Sequence, residues 1–220
     1  AIEVLNNIKV ERAVVVGLGR TGLAAAKFLK SRGVEVLITD MKTREELKDK
    51  IAELGNGRCK YALGGHSEDL LKNCDLIVVS PGVPWNSEFL AKAREMQIPV
   101  MAEIELAYQL KPANWVAVTG TKGKTTTSTL ISEMLKKSGR DFVLAGNIEN
   151  AVIGEMERIG EGTVIVAETS SFQLEGTLKF KPKIAAILNI TEDHQDRYKS
   201  MQEYAEAKSR VFLNQDKDDY

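Results

Sequence analysis

Histidine and cysteine are both scarce in this sequence, with two of each among 220 residues. Cys59 and Cys74 are too few for a disulfide framework or a zinc site, so a reducing, cytoplasmic setting is expected. Charge of one sign is also missing: Lys+Arg 30 against Asp+Glu 31 leaves a net charge of −1. Without a global basic field, neither nucleic acid nor an anionic membrane surface is an expected partner, and any phosphate binding must be local. No apolar run approaches the roughly 20 residues needed to span a bilayer, so no membrane insertion is expected. The N-terminus carries no basic-then-apolar secretory pattern, and there is no internal repeat or low-complexity tract. What remains is an ordinary globular composition, 43% hydrophobic and 28% charged, long enough for one large domain or two modest ones.

Short apolar runs rich in β-branched residues alternate with segments of helical period, which predicts an α/β fold with parallel strands. The strand-like runs are Ala13 to Val16, Val34 to Thr39, Leu76 to Ser80, Pro99 to Met101, Trp115 to Thr119, Phe142 to Ala145, Val164 to Ala167 and Ile184 to Leu188. Helical patterns occupy Leu23 to Lys30, Glu45 to Leu54, Ser87 to Met96, Thr125 to Lys137 and Gln202 to Phe212, with a further helical stretch starting at Glu103. That stretch stops at Leu110-Lys111-Pro112-Ala113-Asn114, the expected boundary between a first domain, 1–111, and a second, 112–220. The polar turn from Asn214 to Tyr220 is of the kind that leads into another strand, so the second domain reads as incomplete.

Gly17-Leu18-Gly19-Arg20-Thr21-Gly22 follows the first strand and opens a helix, the context of a dinucleotide-binding G-x-G-x-x-G turn. Asp40 then ends the second strand near the position of the ribose-binding acid in that pattern. An NAD site and a purely structural packing of the glycines both remain open on these residues. Ser80-Pro81-Gly82 closes a later strand and would face the same crevice.

After Trp115 to Thr119 comes a second turn, Gly120-Thr121-Lys122-Gly123-Lys124-Thr125-Thr126-Thr127, followed by a helix through Leu130, Met134 and Leu135. Its backbone N–H groups can form an anion nest for ATP, Lys124 can reach terminal phosphates, and the Thr125 hydroxyl can ligate Mg²⁺. The full G-x-x-x-x-G-K-[ST] spacing would require glycine where Val118 stands, so this is a shorter form.

Glu168 directly follows an apolar strand, where a carboxylate can hold the Mg²⁺ of a nucleotide. The loop from Asn189 to Tyr198 concentrates acid, base, amide and imidazole, and its His194 is a candidate for a metal or substrate role. His66, in Gly64-Gly65-His66-Ser67, is expected to be an exposed turn residue. Ser200 to Glu203 reads as a capping box for the last helix, on which Lys208 lies at the margin of an apolar stripe. By residue pattern alone Lys208 is a snorkelling lysine with its head in water.

Four ordered segments resemble the Mur ligases of peptidoglycan synthesis, ATP-dependent amide-forming enzymes related to folylpolyglutamate synthase. They are Thr119 to Thr126, Glu168 to Glu175, Leu188 to Tyr198 and Tyr204 to Lys208. With Gly17 to Gly22 and Ser80 to Pro84 they look most like the D-glutamate-adding branch, and the resemblance covers essentially the whole chain. It implies a Rossmann-like first domain holding the UDP part of a nucleotide-sugar, with Arg20, Thr21, Asp40, Lys42 and Ser80 around it. It implies an ATPase domain with Gly120, Thr121, Lys122, Gly123, Lys124, Thr125 and Thr126 on the phosphates. Thr125 and Glu168 would be ligands of one Mg²⁺ and His194 of a second. Lys208 would be carbamylated by CO₂ and so become an oxygen donor near that second ion, while Asn147, Ser170 and Gln173 would approach the substrate. Lys124, Glu168, His194 and Lys208 would thus carry catalysis. The implied substrates are UDP-N-acetylmuramoyl-L-alanine and D-glutamate, the implied location cytoplasmic and the expected state a monomer. The family usually has glycine where Glu149 follows Asn147-Ile148, and it continues past Tyr220 with more of the ATPase domain and a C-terminal amino-acid-binding domain, absent here. Competing expectations are another member of that ligase group, a non-catalytic nucleotide-binding protein and a Rossmann dehydrogenase.

Overall fold

A computed structural model describes residues 1–220 except 6, 56, 58, 113 and 195, so Ala113 of the expected linker and Gln195 of the histidine loop lie outside the described residues. The chain opens with an antiparallel hairpin of β1 (Ile2–Val4) and β2 (Ile8–Val10), which the sequence patterns did not reveal. Next come β3 (Arg12–Val16), α1 (Arg20–Ser31), β4 (Glu35–Asp40), α2 (Lys48–Leu54), β5 (Cys59–Leu63), β6 (Leu76–Val79), α3 (Glu88–Glu95), β7 (Val100–Ala102) and α4 (Glu103–Leu110). The five strands from β3 to β7 form a parallel sheet in the order β5-β4-β3-β6-β7. β5 went unread because Lys60 interrupts its short run and it lies at the sheet edge.

The second half contributes β8 (Trp115–Thr119), α5 (Lys124–Lys137), β9 (Phe142–Gly146), β10 (Val164–Glu168), α6 (Ser171–Glu175), β11 (Ile184–Ile187) and α7 (Met201–Ser209). Its four strands are parallel in the order β11-β8-β10-β9. In the first sheet the order reverses between β3 and β6. The loops after those two strands therefore splay apart and leave a crevice at the carboxyl edge.

β-Branched residues with both faces covered explain the central strands. Along β3, Ala13 and Val15 enter one hydrophobic cluster while Val14 and Val16 enter another on the opposite face. The larger cluster continues into the second sheet through Trp115, Ala117, Val143 and Ile165, so the two sheets share one core. Tyr108 of α4, Trp115 of β8 and Phe180 meet edge to face, with ring centroids 5.4 to 5.9 Å apart. Each such pair contributes about 0.5–1.5 kcal/mol beyond its buried area.

Two buried carboxylates of α4 fasten the sheets together. Glu105 accepts from the N–H groups of Leu178 (2.8 Å), Lys179 (2.9 Å) and Phe180 (3.0 Å) and from Gln109 Nε2 (2.6 Å). Glu103 Oε1 accepts from Ile153 N, but its Oε2 is buried with no partner among the described residues. Burial pushes the Glu103 carboxyl up from 4.5 to about 7. The folded state thus keeps a proton there that the unfolded chain has already released, so stability falls as pH rises from about 4.5 to about 7. A shift of that size is on the order of 3 kcal/mol. Urea midpoints measured across that window should decline for the wild type and stay flatter for Glu103→Gln; equal slopes would remove the assignment.

Candidate functional site

The turn after β8 is shaped by the residues that directly follow β11. Gly120 has φ +152°, and a Cβ on it would lie 3.2 Å from the Leu188 Cβ; Gly123, at φ +83°, is the left-handed N-cap of α5. Asn189 ties the turn down, its carbonyl accepting from Thr121 N (3.1 Å) and its side chain exchanging hydrogen bonds with Lys122 N (2.9 Å) and Lys122 O (3.0 Å). The Thr121 hydroxyl accepts from Thr191 N (3.0 Å) and lies 3.2 Å from the Tyr204 hydroxyl. Loop 189–191 and α7 therefore hold the turn from behind, leaving the helix N-terminus as a ready anion site.

Two ammonium groups converge on this turn. Lys124 Nζ donates to Gly120 O (2.8 Å) and Thr121 O (3.2 Å), and Lys208 Nζ donates to the same Gly120 O (3.0 Å). Lys208 is only 2% exposed, with its ammonium 4.7 Å from the Tyr204 ring centre, so the expectation of a solvated head is corrected. Periodicity placed the residue at a stripe margin but could not show that the turn closes over it. Burial, with the Lys124 charge adding to it and Asp193 opposing, lowers the Lys208 amine from 10.5 to about 8.

On the other side of the turn, Thr125 Oγ1 donates to Glu168 Oε2 (2.8 Å), and Asn147 Nδ2 donates to Glu168 Oε1 (3.3 Å). Glu168 is 2% exposed, and Gly146 allows it to sit there: a Cβ at residue 146, where φ is +115°, would come within 2.2 Å of Glu168 O. A hydroxyl and a carboxylate side by side suit a hard cation whose remaining ligands are phosphate and water oxygens. Among the described residues, no three His, Cys, Asp or Glu side chains converge as a metal site.

His194 belongs to the same neighbourhood. Its backbone is left-handed (φ +54°), and its ring lies 4.8 Å from Phe172 and 6.1 Å from Tyr204, the ring that Lys208 also faces. Ser170 and Gln173 come near but are used locally: Gln173 N donates to Ser170 Oγ and Ser170 N to Gln173 Oε1, a capping box on α6.

The first-sheet crevice is a cleft of about 620 Å³ lined by Gly17, Arg20, Thr21, Asp40, Lys42 and Ser80 among others. Close packing at its glycine turn is obligatory, since a Cβ at Gly22 would fall 1.9 Å from Gly17 O. Ser80 Oγ donates to that carbonyl (2.6 Å), while Asp40 accepts from Leu18 N (2.7 Å) and Lys42 N (2.8 Å) and so braces the turn. Asn147, from the second sheet, reaches the same cleft. His66 lines it too, half-buried, with Nδ1 2.8 Å from Thr39 Oγ1 and its ring 5.4 Å from Phe89. Burial lowers its pKa. The exposed turn expected for His66 is thereby corrected; its partners come from β4 and α3, and nothing beside it in sequence signalled them.

Arg197 was passed over as well. Its guanidinium donates to Pro81 O (2.7 Å), Val83 O (3.1 Å) and Glu175 Oε2 (2.9 Å) and lies 4.1 Å from the Phe172 ring centre. It joins the histidine loop to the wall of the first-sheet cleft.

Comparison with known proteins gives matches in two stretches of the chain. Residues 11–102 match a family described as Mur ligase MurD-like, N-terminal domain, and residues 118–220 match the Mur ligase middle domain. A UDP-N-acetylmuramoylalanine--D-glutamate ligase of Geotalea daltonii is 47% identical over 97% of the chain, and that of Geotalea uraniireducens is 46% identical over all of it. The chain spans about half the length of these relatives, 47% and 48% respectively. Among solved structures, a UDP-N-acetylmuramate:L-alanyl-gamma-D-glutamyl-meso-diaminopimelate ligase from Neisseria meningitides superposes with a TM-score of 0.61 at 15% identity, over 96% of this chain and 70% of that one. The UDP-N-acetylmuramate-alanine ligase of Thermotoga maritima gives 0.53 at 24% identity, over 93% of this chain and 47% of that one. At such identities the two structures speak for the fold alone.

Proposed function

The chain belongs to the Mur ligase family, and from that premise we propose that it is the nucleotide-sugar-binding and ATP-binding half of a ligase that joins D-glutamate to UDP-N-acetylmuramoyl-L-alanine. In this reading residues 1–111 hold the UDP portion and residues 112–220 carry the ATP-binding part of the middle domain. The observation that supports it most is the meeting of Lys124 and Lys208 on the Gly120 carbonyl, beside the Thr125–Glu168 pair.

A carboxylate is a poor electrophile, and it repels the triphosphate that must activate it. Lys124, at the mouth of the turn, supplies a positive charge to the terminal phosphate, and the N–H groups of the α5 N-terminus take the remaining oxygens. Thr125 and Glu168 would hold one Mg²⁺; His194 and Lys208, the latter as a carbamate, would serve a second. Bound there, the ions would neutralise phosphate charge as Lewis acids. Asn147 stands between Glu168 and the first-sheet cleft, where it can orient the substrate's L-alanine carboxylate. That carboxylate attacks the γ-phosphorus, giving an acyl-phosphate and ADP. The D-glutamate amine then attacks the acyl carbon, expels phosphate and loses a proton to form the amide. Positioning supplies most of the acceleration.

Titrating the chain with UDP-N-acetylmuramoyl-L-alanine and, separately, with NADH tests the reading. Binding of the first without the second is expected. Tight NADH binding with no response to the nucleotide-sugar would overturn it in favour of a dehydrogenase.

A further inference from the structure

Arg197 is a second residue, besides Asn147, through which the two sites touch. It sits in the turn begun by His194, whose carbonyl accepts from Arg197 N (3.0 Å) and Tyr198 N (3.1 Å). Its side chain leaves the second sheet and ends on the backbone of the loop after β6, on Pro81 O and Val83 O, both residues of the cleft wall. Only 15% of that side chain is exposed, and its partner Glu175 is 16% exposed, so the contact is largely shielded from water and salt. The planar fork uses two nitrogens for three acceptors, which fixes its orientation in a way a lysine ammonium would not. Its flat face covers Phe172, and Phe172 in turn packs on the His194 and Tyr198 rings. Val83 closes the chain of contacts at the other end, its Cγ2 3.0 Å from where a Cβ on Gly17 would lie.

We propose that Arg197 is a positioning residue that carries the state of the first-sheet cleft to His194: filling the cleft sets the loop 81–83, and the guanidinium passes that setting to the histidine turn. This deepens the function proposed above and rests on its reading of the cleft as a UDP site. Such coupling needs an element with two arrangements that both sites bias, and the proposal places it on the contact path Val83–Arg197–Phe172–His194.

The chain holds two histidines, one in each site, which makes it its own reporter. UDP alone, a probe confined to the nucleotide end of the substrate, should shift the imidazole NMR signals of both His66 and His194 in the wild type. In Arg197→Met the His66 shift should persist at a UDP affinity within about threefold, while the His194 shift falls to a small fraction of its size. Arg197→Lys, which keeps the charge and loses the fork, should fall between them. The retained His66 response reports that the variant is folded; should Arg197→Met not fold, Glu175→Gln weakens the same fork and should halve the His194 response or more. An undiminished His194 shift in these variants, or a wild type in which UDP moves His66 alone, overturns the proposal and leaves the UDP reading standing. A wild type in which UDP moves neither signal overturns the UDP reading first.

Discussion

Lys124→Ala is expected to reduce the affinity of the chain for ATP with Mg²⁺ by at least about 100-fold, a change of roughly 2.7 kcal/mol. Charge-assisted contacts to phosphate are the strong class of hydrogen bond, and this ammonium already stands at the turn, 2.8 Å from Gly120 O, with no rotamer search left to make. Removing it also leaves a buried Lys208 as the only side-chain donor among the described residues to Gly120 O. Calorimetric titration with ATP reads the loss, and an unchanged far-UV circular dichroism spectrum separates it from misfolding. Affinity within threefold of the wild type would mean that the turn does not hold a triphosphate.

Lys208→Ala should lower the turnover of the whole ligase by about 1000-fold, the scale of losing one electrostatic stabiliser of a charged transition state. In the proposed carbamate the ammonium first gives one proton to water, the freed nitrogen electron pair forms the N–C bond to CO₂, one C–O π pair moves onto oxygen, and a second proton leaves the nitrogen for water. The product is an anionic oxygen donor where a cation stood. Alanine leaves a void beneath the Tyr204 ring that formate or acetate can enter, so those ions should restore activity about tenfold or more over the unrescued variant. Lys208→Met fills the void and should be equally inactive without being rescued. Full activity of Lys208→Ala, or equal rescue of both variants, would eliminate the carbamate.

Much of this site could be read from residue order, because each part is announced by a strand that ends in it. Gly120 to Thr126 follows Trp115 to Thr119, Glu168 closes β10 and Asn189 comes directly after the expected last strand. What could not be read depends on partners distant along the chain. Arg197 looked like one more charge in a wet loop until Pro81 and Val83 were beside it. The helix α5 shows a different failure. Of Leu130, Met134 and Leu135, the apolar residues by which that helix is read, the first two are 54% and 67% exposed and the third is half-buried, whereas Ser128 and Ser132 are buried. Their hydroxyls are satisfied by the helix itself, on Thr125 O and Ser128 O, so small residues let the helix lie close to the strands. A count of apolar side chains rewards methyl groups and misses contact made by having few atoms.

The shared core and the Glu105 clasp have a geometric corollary. With the cleft of the first sheet and the lysine-bearing turn of the second anchored to one framework, the span between them is set by the protein's own core. In the proposed function a fixed span would act as a gauge: a molecule gripped at its nucleotide end would be accepted or refused according to whether its acid end reached the phosphate donor, and length itself would become a criterion of selection.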